Sequence, residues 1–207
     1  MKGFSIAGIG TDVGKTVVSA ILAEALGAHY FKPVQAGDID NSDSIKIKSW
    51  CSDRVQVAEE TFKLLEPMAP HAAAAREGIT LSLDSIEFPK TQQPLILEGA
   101  GGVLVPLNEK GETFLDIYEK AQLPVIVISR HYLGSINHTL LTVEALKSRG
   151  LTIAGIIFVG AENKETEAII EKLTKLNTLG RVVLSETIDA DFIQQNARSF
   201  KHLVYEL

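Results

Sequence analysis

The segment GIGTDVGKT at residues 8–16 has the residue types and spacing of a loop that binds nucleotide phosphates, G-x-x-x-x-G-K-S/T. Its glycines allow the backbone to curl so that successive N–H groups point at phosphate oxygens, and the N-terminus of a following helix adds positive charge. Lys15 is expected to reach the β and γ phosphates, and the hydroxyl of Thr16 to bind Mg²⁺. We predict that ATP is bound by Gly10, Thr11, Asp12, Val13, Gly14, Lys15 and Thr16.

Two carboxylates are candidates to complete the metal site. Glu98 ends the apolar run LILEG, so it would lie at the carboxyl edge of a sheet, where an acidic residue can complete the Mg²⁺ shell. Asp43 lies in NSDSIKI at a predicted helix start, where either Ser42 or Asp43 could instead cap the helix. Position alone leaves capping and metal binding by Asp43 as equal alternatives.

Another strand end, and the turn that follows Glu98, carry residues that could face a second substrate. Lys32, in FKPVQAG, ends the second predicted strand, and a solvated surface lysine is the alternative interpretation. Gly99 follows Glu98 in a glycine-rich turn where the backbone can approach a ligand closely. The phosphate loop alone does not identify the acceptor of the phosphoryl group, so these strand ends must supply the rest of the site.

Short apolar runs alternate with helical patterns along the chain, which predicts an α/β fold with a doubly wound, mostly parallel sheet. The predicted strands are FSIAGI, HYF, PLILEG, PVIVIS, IAGIIFV and RVVL. The predicted helices are KTVVSAILAEAL, SINHTLLTVEALKSRG and KETEAIIEKLTKL. No linker or repeat divides the chain, so we predict a single P-loop domain over residues 1–207. Residues 53–94 are less regular, with Pro67 and Pro70 predicting a loop that leads into a short helix and walls the substrate site.

Composition narrows the classes of protein that the chain could be. Its single cysteine, Cys51, cannot close an intramolecular disulfide, which fits a reducing compartment. The formal net charge of −6, without basic clusters, argues against a nucleic-acid partner. No apolar stretch approaches the roughly 18 residues of a membrane span. We therefore expect a cytoplasmic protein that acts on small molecules.

Six segments in order, GTDVGKT, FKPVQAG, NSDS, APHAAAA, EGAGGVLVPL and LGSINHTLLT, resemble those of dethiobiotin synthetases. The resemblance runs from the N-terminus to about residue 155, and the later elements fit only in layout. It implies ATP-dependent joining of CO₂ to 7,8-diaminopelargonic acid in biotin biosynthesis, with closure of a ureido ring and release of ADP and phosphate. A carbamate formed on one amine of the substrate would attack the γ-phosphate, and the second amine would then close the ring.

The same resemblance implies roles for individual residues. Thr11, Lys15 and Lys32 would surround the point where carbamate meets γ-phosphate, and Thr16, Asp43 and Glu98 would bind Mg²⁺. Substrate would lie beside Lys32, Ala36, Gly37 and Gly99. The family is a homodimer, so Gly134 and Asn137 at the start of a helix would bind the substrate carboxylate of the partner's site. His71 and His138 lie in matching segments, and we interpret both as hydrogen-bonded structural histidines.

Three positions depart from the family pattern. Asp12 replaces a glutamate of the loop, and Ala36 replaces a frequent serine. Val159 lies where an asparagine that reads adenine is expected, which puts the base preference in doubt, although Asn163 could read the base instead.

Two other functions fit a P-loop chain less well. Amide-forming enzymes of the cobyrinic acid type need an attached glutaminase, which a chain of 207 residues is too short to hold. Nucleotide switches of the partition or septum-positioning kind carry an additional lysine early in the loop, where this chain has Ile9 and Gly10.

Overall fold

The fold is built on a seven-stranded parallel sheet, and the computed structural model describes residues 1–206, with side chains through residue 204. Within that range the strands are β1 (Gly3–Gly8), β2 (His29–Phe31), β3 (Val34–Ala36), β4 (Gln56–Val57), β5 (Phe62–Leu64), β6 (Leu95–Gly102), β7 (Val125–Arg130), β8 (Ile153–Val159) and β9 (Thr178–Val182). The α-helices are α1 (Lys15–Leu26), α2 (Asp43–Trp50), α3 (Pro70–Glu77), α4 (Phe114–Ala121), α5 (Ser135–Ser148), α6 (Lys164–Thr174) and α7 (Ala190–Ala197). Three short 3₁₀ segments lie at Ile39–Asn41, Leu83–Ser85 and Arg198–Glu206.

The order of strands in the main sheet is β4-β2-β6-β1-β7-β8-β9, and all neighbouring pairs are parallel. After β1 the chain moves to one side of the sheet to form β2, and after β6 it moves to the other side to form β7. Consistent with right-handed crossovers on opposite faces, α1 packs against α2 and α7, whereas α5 packs against α6. The predicted doubly wound α/β fold is confirmed, and its crevice lies at the carboxyl end of β1.

Apolar residues fill the central strands because both faces of a parallel sheet are covered by helices. Every residue of β1 is buried, and so are the first five residues of β6. All six predicted strands and all three predicted helices exist, with ends that shift by a few residues; RVVL, for example, lies at the end of β9. The predictions did not include α4, α7 or the small parallel sheet of β3 and β5.

The segment from residue 53 to 94 contains the predicted loop and short helix, but it also contains two short strands that were not predicted. It contains β4 and β5, and Pro70 is the first residue of α3, a position where the missing proline N–H costs no helical hydrogen bond. Among the helices of residues 1–206, none combines the length and the apolar composition that a membrane span requires.

Candidate functional site

The phosphate loop connects the end of β1 to the start of α1. Gly14 is the N-cap of α1 with φ of 94°, a left-handed conformation that favours glycine. A Cβ at Gly14 would also lie 3.2 Å from Cγ1 of Val159, at the end of β8. A larger residue at position 14 would therefore be both strained and crowded, so the glycine sets the path of the loop.

Lys15 lies inside this loop rather than in solvent. Its Nζ donates a hydrogen bond of 2.7 Å to the carbonyl oxygen of Gly10. Burial lowers the pKa of Lys15 to about 8, although the carboxylate of Glu98 acts against this shift. An anion placed in the loop would raise the pKa of Lys15 and stabilise its charged form, so the loop is electrostatically suited to a phosphate group.

The three predicted metal ligands converge around one lysine. The hydroxyl of Thr16 donates to Oε1 of Glu98 at 2.9 Å. The ammonium of Lys32 donates to the same oxygen at 3.1 Å and also to Oδ2 of Asp43. Hard oxygen atoms of this kind are the ligands that Mg²⁺ prefers, so the residues fit the ion. Over the described residues, no three acidic, histidine or cysteine side chains form a metal site, so Mg²⁺ here would need the threonine hydroxyl and phosphate oxygens.

The electrostatics of this cluster follow from burial and pairing. Glu98 has no exposed surface, and Lys32 is also buried. Burial alone would lower the pKa of Lys32, but the carboxylates of Glu98 and Asp43 outweigh it and raise the pKa. Burial likewise works to raise the pKa of Asp43, but Lys32 outweighs it and lowers the pKa. Lys32 and Asp43 are therefore both held in their charged forms.

Strand register explains why Lys32 and Glu98 meet. Phe31 pairs with Leu97 between the parallel strands β2 and β6, so the next residues of the two strands lie side by side. Asp43 reaches the same point from the first turn of α2. The N-cap of that helix is Ser42, whose Oγ accepts a hydrogen bond from the backbone N–H of Ile45. The cap that the sequence left undecided is therefore Ser42, and the Asp43 side chain contacts Lys32.

A cavity of about 740 Å³ opens above the phosphate loop and the carboxylates of Asp43 and Glu98, which are called the acidic cluster below. Its walls include residues 67–70, from the segment predicted to border the substrate, and Ala36. Gly37 and Gly99 are not among the described residues that line it, and each has a packing reason to be glycine. A Cβ at Gly37 would lie 2.5 Å from Cβ of Pro67, and one at Gly99 would lie 2.0 Å from Oη of Tyr118.

Two residues near the acidic cluster and the loop were not predicted from the sequence. Tyr30 is fully buried and donates a hydrogen bond of 3.0 Å to Oε2 of Glu98. Burial first, and then the charge of Glu98, raise the pKa of Tyr30 well above its ordinary value, so the phenol remains a donor. Arg130, at the end of β7, donates from Nη1 to the carbonyl oxygen of Asp12 at 2.9 Å. The sequence signal that could have identified Tyr30 is its position two residues before Lys32. No sequence signal pointed to Arg130.

Val159 and Asn163, the two candidates for reading the base, lie in different surroundings. Val159 is 2% exposed and packs against Gly14 of the loop. Asn163 is exposed and is the N-cap of α6, where its Oδ1 accepts a hydrogen bond of 3.0 Å from the N–H of Thr166. The side chain of Asn163 is therefore already used in the fold.

Gly134 and Asn137 do not reach the phosphate loop within one chain. Gly134 is the N-cap of α5 with φ of 103°, and both residues line a second cavity of about 750 Å³. His138 accepts or donates a 2.7 Å hydrogen bond with the hydroxyl of Tyr132, which agrees with a structural histidine. His71 differs, because its buried Nδ1 has no hydrogen-bond partner among the described residues.

His131, which lines this second cavity, belongs to a group of ionisable side chains with Glu167 and Arg181. Nε2 of His131 lies 2.8 Å from Oε1 of Glu167, and Arg181 contacts both oxygens of Glu167, at 2.6 and 2.5 Å. Burial works to raise the pKa of Glu167, but hydrogen bonds from Arg181, the backbone of Asn163 and His131 outweigh it and lower the pKa to about 2. This group ties α6 to β9 and to the chain that follows β7.

Comparison with known proteins gives three consistent matches of sequence. A family model described as an AAA domain matches residues 2–191. The chain is 51% identical over 207 residues to an ATP-dependent dethiobiotin synthetase of Christiangramia forsetii, covering 100% of this chain and 99% of that protein. It is 45% identical over 195 residues to the enzyme of that name from Cytophaga hutchinsonii, covering 93% of this chain and 94% of that protein.

Solved structures resemble the chain in fold. A putative plasmid partition protein from Borrelia burgdorferi bound to AMPPNP has a TM-score of 0.62 at 12% identity, covering 100% of this chain and 99% of that one. The cell division ATPase MinD of Pyrococcus furiosus has a TM-score of 0.59 at 14% identity, covering 97% of this chain and 99% of that one. At these identities the likeness concerns the fold alone.

Proposed function

The chain belongs to the family of ATP-dependent dethiobiotin synthetases, and we propose that it forms dethiobiotin from 7,8-diaminopelargonic acid, CO₂ and ATP, with release of ADP and phosphate. The observation that carries the proposal is the convergence of Thr16, Lys32, Asp43 and Glu98 beside the phosphate loop. The cavity above them offers a place for the diamine.

Each group near the phosphates would have a distinct task. The N–H groups of the loop, together with Lys15 and Thr11, would bind the β and γ phosphates. Asp43, Glu98 and Thr16 would bind Mg²⁺, which would neutralise charge on those phosphates. Lys32 is a cation fixed in advance at the edge of the cavity, where negative charge grows as a carbamate oxygen attacks phosphorus. Preorganised charge of this kind lowers a reaction barrier without reorganisation during the reaction.

The reaction needs no nucleophile from the protein. One amine of the diamine adds to CO₂, and the carbamate that results is itself the nucleophile toward the γ-phosphate. The second amine then attacks the carbonyl carbon and expels phosphate as the ring closes. What the chain contributes is binding, orientation and positive charge.

We also propose that the active form is a homodimer in the cytoplasm. Gly134 and Asn137 line a cavity that is separate from the loop, so a second copy would be required to bring them to the substrate. The adjoining surface supports an interface, because Leu133 is fully exposed, Leu141 is 60% exposed and Tyr132 is 41% exposed. Burying such apolar side chains favours association.

The proposal is tested by measuring which compounds ATP turnover requires. Purified protein with Mg²⁺ should release ADP and phosphate only when both 7,8-diaminopelargonic acid and bicarbonate are present. Turnover that is independent of both would favour the partition type of ATPase. Turnover that requires glutamine or ammonia with a carboxylic acid substrate would favour the amide-forming type.

A further inference from the structure

Tyr30 makes a contact that the proposed reaction does not use directly. Its phenol is fully buried, and its only side-chain hydrogen bond among the described residues is the 3.0 Å bond to Oε2 of Glu98. The other oxygen of that carboxylate, Oε1, accepts from Thr16 at 2.9 Å and from Lys32 at 3.1 Å. The two oxygens of Glu98 therefore face different partners.

The backbone directs Tyr30 and Lys32 to the same carboxylate. They are two residues apart at the end of β2, and side chains with this spacing lie on the same face of a strand. The neighbouring strand β6 is parallel and in register, with Tyr30 opposite Ile96, two residues before Glu98. Both side chains can thus reach Glu98 from one side, the phenol at one oxygen and the ammonium at the other.

The orientation of Glu98 would be poorly fixed without the phenol. Rotation of a glutamate carboxylate about its last torsion is soft, because the torsion joins a tetrahedral carbon to a planar one. Lys32 is a point charge with no preferred plane, so both oxygens of Glu98 could turn toward it. Such a turn would draw Oε1 away from Thr16. A hydrogen bond from a rigid, buried ring opposes that rotation.

We propose that Tyr30 is a positioning residue whose hydroxyl holds the Glu98 carboxylate so that Oε1 stays directed at Thr16 and the Mg²⁺ site. The inference rests on the proposed function of Glu98 as a metal-binding residue. It goes further because it makes Tyr30, which would contact neither phosphate nor metal, responsible for the orientation of the Glu98 carboxylate. Partners that orient metal ligands in this way are worth about 10-fold to 100-fold in metal affinity.

Tyr118 provides a matched control in the same core. It is 2% exposed, and its hydroxyl donates a hydrogen bond of 3.0 Å to the backbone carbonyl of Ile6 rather than to Glu98. Changing Tyr118 to Phe removes the same atom and a buried hydrogen bond of the same length, although its acceptor is a neutral carbonyl rather than a carboxylate. A general loosening of the core would affect both variants, whereas loss of Glu98 orientation would affect only Tyr30→Phe.

The experiment measures binding of Mn²⁺ to the protein with bound ADP, by electron paramagnetic resonance of the free ion. We expect Tyr30→Phe to weaken Mn²⁺ binding about tenfold, while its affinity for ADP without metal is unchanged. Tyr118→Phe should bind Mn²⁺ within about twofold of wild type, because its hydrogen bond does not touch a metal ligand. In a Glu98→Gln background, Tyr30→Phe should have no further effect, since the carboxylate that it orients is gone.

The possible results distinguish a failure of the role of Tyr30 from a failure of the metal-binding role of Glu98. Wild-type Mn²⁺ affinity in Tyr30→Phe, together with weakened binding in Glu98→Gln, would overturn the role of Tyr30 and leave the metal site intact. Equal weakening in Tyr30→Phe and Tyr118→Phe would also overturn it. Wild-type Mn²⁺ affinity in Glu98→Gln would instead contradict the metal-binding role of Glu98.

Discussion

Nζ of Lys32 lies 3.1 Å from Oε1 of Glu98, the oxygen that also accepts the hydroxyl hydrogen bond of Thr16. With Asp43 as its second partner, the ammonium balances two carboxylates at the point where we propose that Mg²⁺ binds. A metal ion at these carboxylates would take over that balance and leave Lys32 available to the substrate. This exchange of partners would connect the ion pairs of Lys32 to the proposed reaction.

Replacement of Lys32 by methionine should therefore impair catalysis more than nucleotide binding. Removing one preorganised charge partner typically costs about 100-fold to 1,000-fold in turnover. We expect kcat to fall by that order while ATP affinity, from equilibrium binding, changes little. Lys63→Met is a suitable control, since Lys63 is half exposed and pairs with Glu60 instead. A loss confined to ATP affinity would make Lys32 a binding residue only.

The pKa of Glu167 predicts how stability depends on pH. Because the folded pKa is about 2, below its ordinary value of 4.5, the group stabilises the fold above pH 4.5 and loses that effect as the pH falls toward 2. Allowing for solvent screening, Glu167→Gln should lower the free energy of unfolding by about 1–2 kcal/mol at pH 7. The difference in the free energy of unfolding between wild type and Glu167→Gln should shrink as the pH falls from 4.5 to 2. Urea unfolding across this range measures it.

A control for that series lies on the same helix. Glu165 is exposed in the first turn of α6 and has no ion pair among the side chains described. Glu165→Gln should therefore change stability far less than Glu167→Gln at pH 7. If both variants behave alike, the interaction of Glu167 with Arg181 and His131 does not contribute to folding.

Complementation between two inactive variants tests the shared site. Each proposed site takes Lys15 from one subunit and Asn137 from the other, so a mixed dimer of Lys15→Ala and Asn137→Ala chains would contain one intact site. With random mixing, half of the dimers are mixed, and activity should recover to about a quarter of wild type. No recovery in a verified mixed dimer would mean that each site belongs to one chain.

Base selection should be weak because Val159 lies at the position where an asparagine is expected. A bidentate amide contact is worth about 1–3 kcal/mol in the comparable reading of DNA bases, and valine cannot make it. We expect CTP or GTP to support turnover within about 100-fold of ATP in kcat/KM. Val159→Asn should increase the preference for ATP over CTP and GTP in kcat/KM.

Asn163 provides the test of the alternative. Since its side chain already caps α6, Asn163→Ala should reduce stability slightly and leave the nucleotide preference unchanged. A strong preference for ATP that disappears in Asn163→Ala would make Asn163 the reader and contradict the argument from Val159.

The phosphate loop and the parallel sheet could be predicted because their signals are local. GTDVGKT lies between an apolar strand and a helical pattern, and each central strand is a continuous apolar run. Lys32 and Glu98 could be predicted to share one edge of the sheet because parallel strands place their carboxyl ends together. Asp43 lies at the start of a helix, and only the family resemblance grouped it with them. That Ser42 rather than Asp43 caps α2 depends on side-chain geometry, which position alone does not specify.

Other features depend on contacts between distant parts of the chain. Gly99 follows a strand in a glycine-rich turn, yet its closest constraint is the hydroxyl of Tyr118 on α4. The helix α4 has only eight residues and was missed although two local signals were present, the capping box of Thr113 with Asp116 and apolar residues at helical spacing from Phe114 to Ala121. Arg130 meets Asp12 only because β1 and β7 are neighbours in the sheet. Local sequence patterns do not contain these relationships.

The fate of labelled bicarbonate shows whether this chain forms the ureido ring of dethiobiotin. Purified protein would be incubated with ¹³C-bicarbonate, 7,8-diaminopelargonic acid, Mg²⁺ and ATP, and the products analysed by mass spectrometry. We expect dethiobiotin that carries ¹³C at its ureido carbonyl, formed with one ADP per ring, and no product from Lys15→Ala. ATP hydrolysis without labelled dethiobiotin would contradict the proposed function.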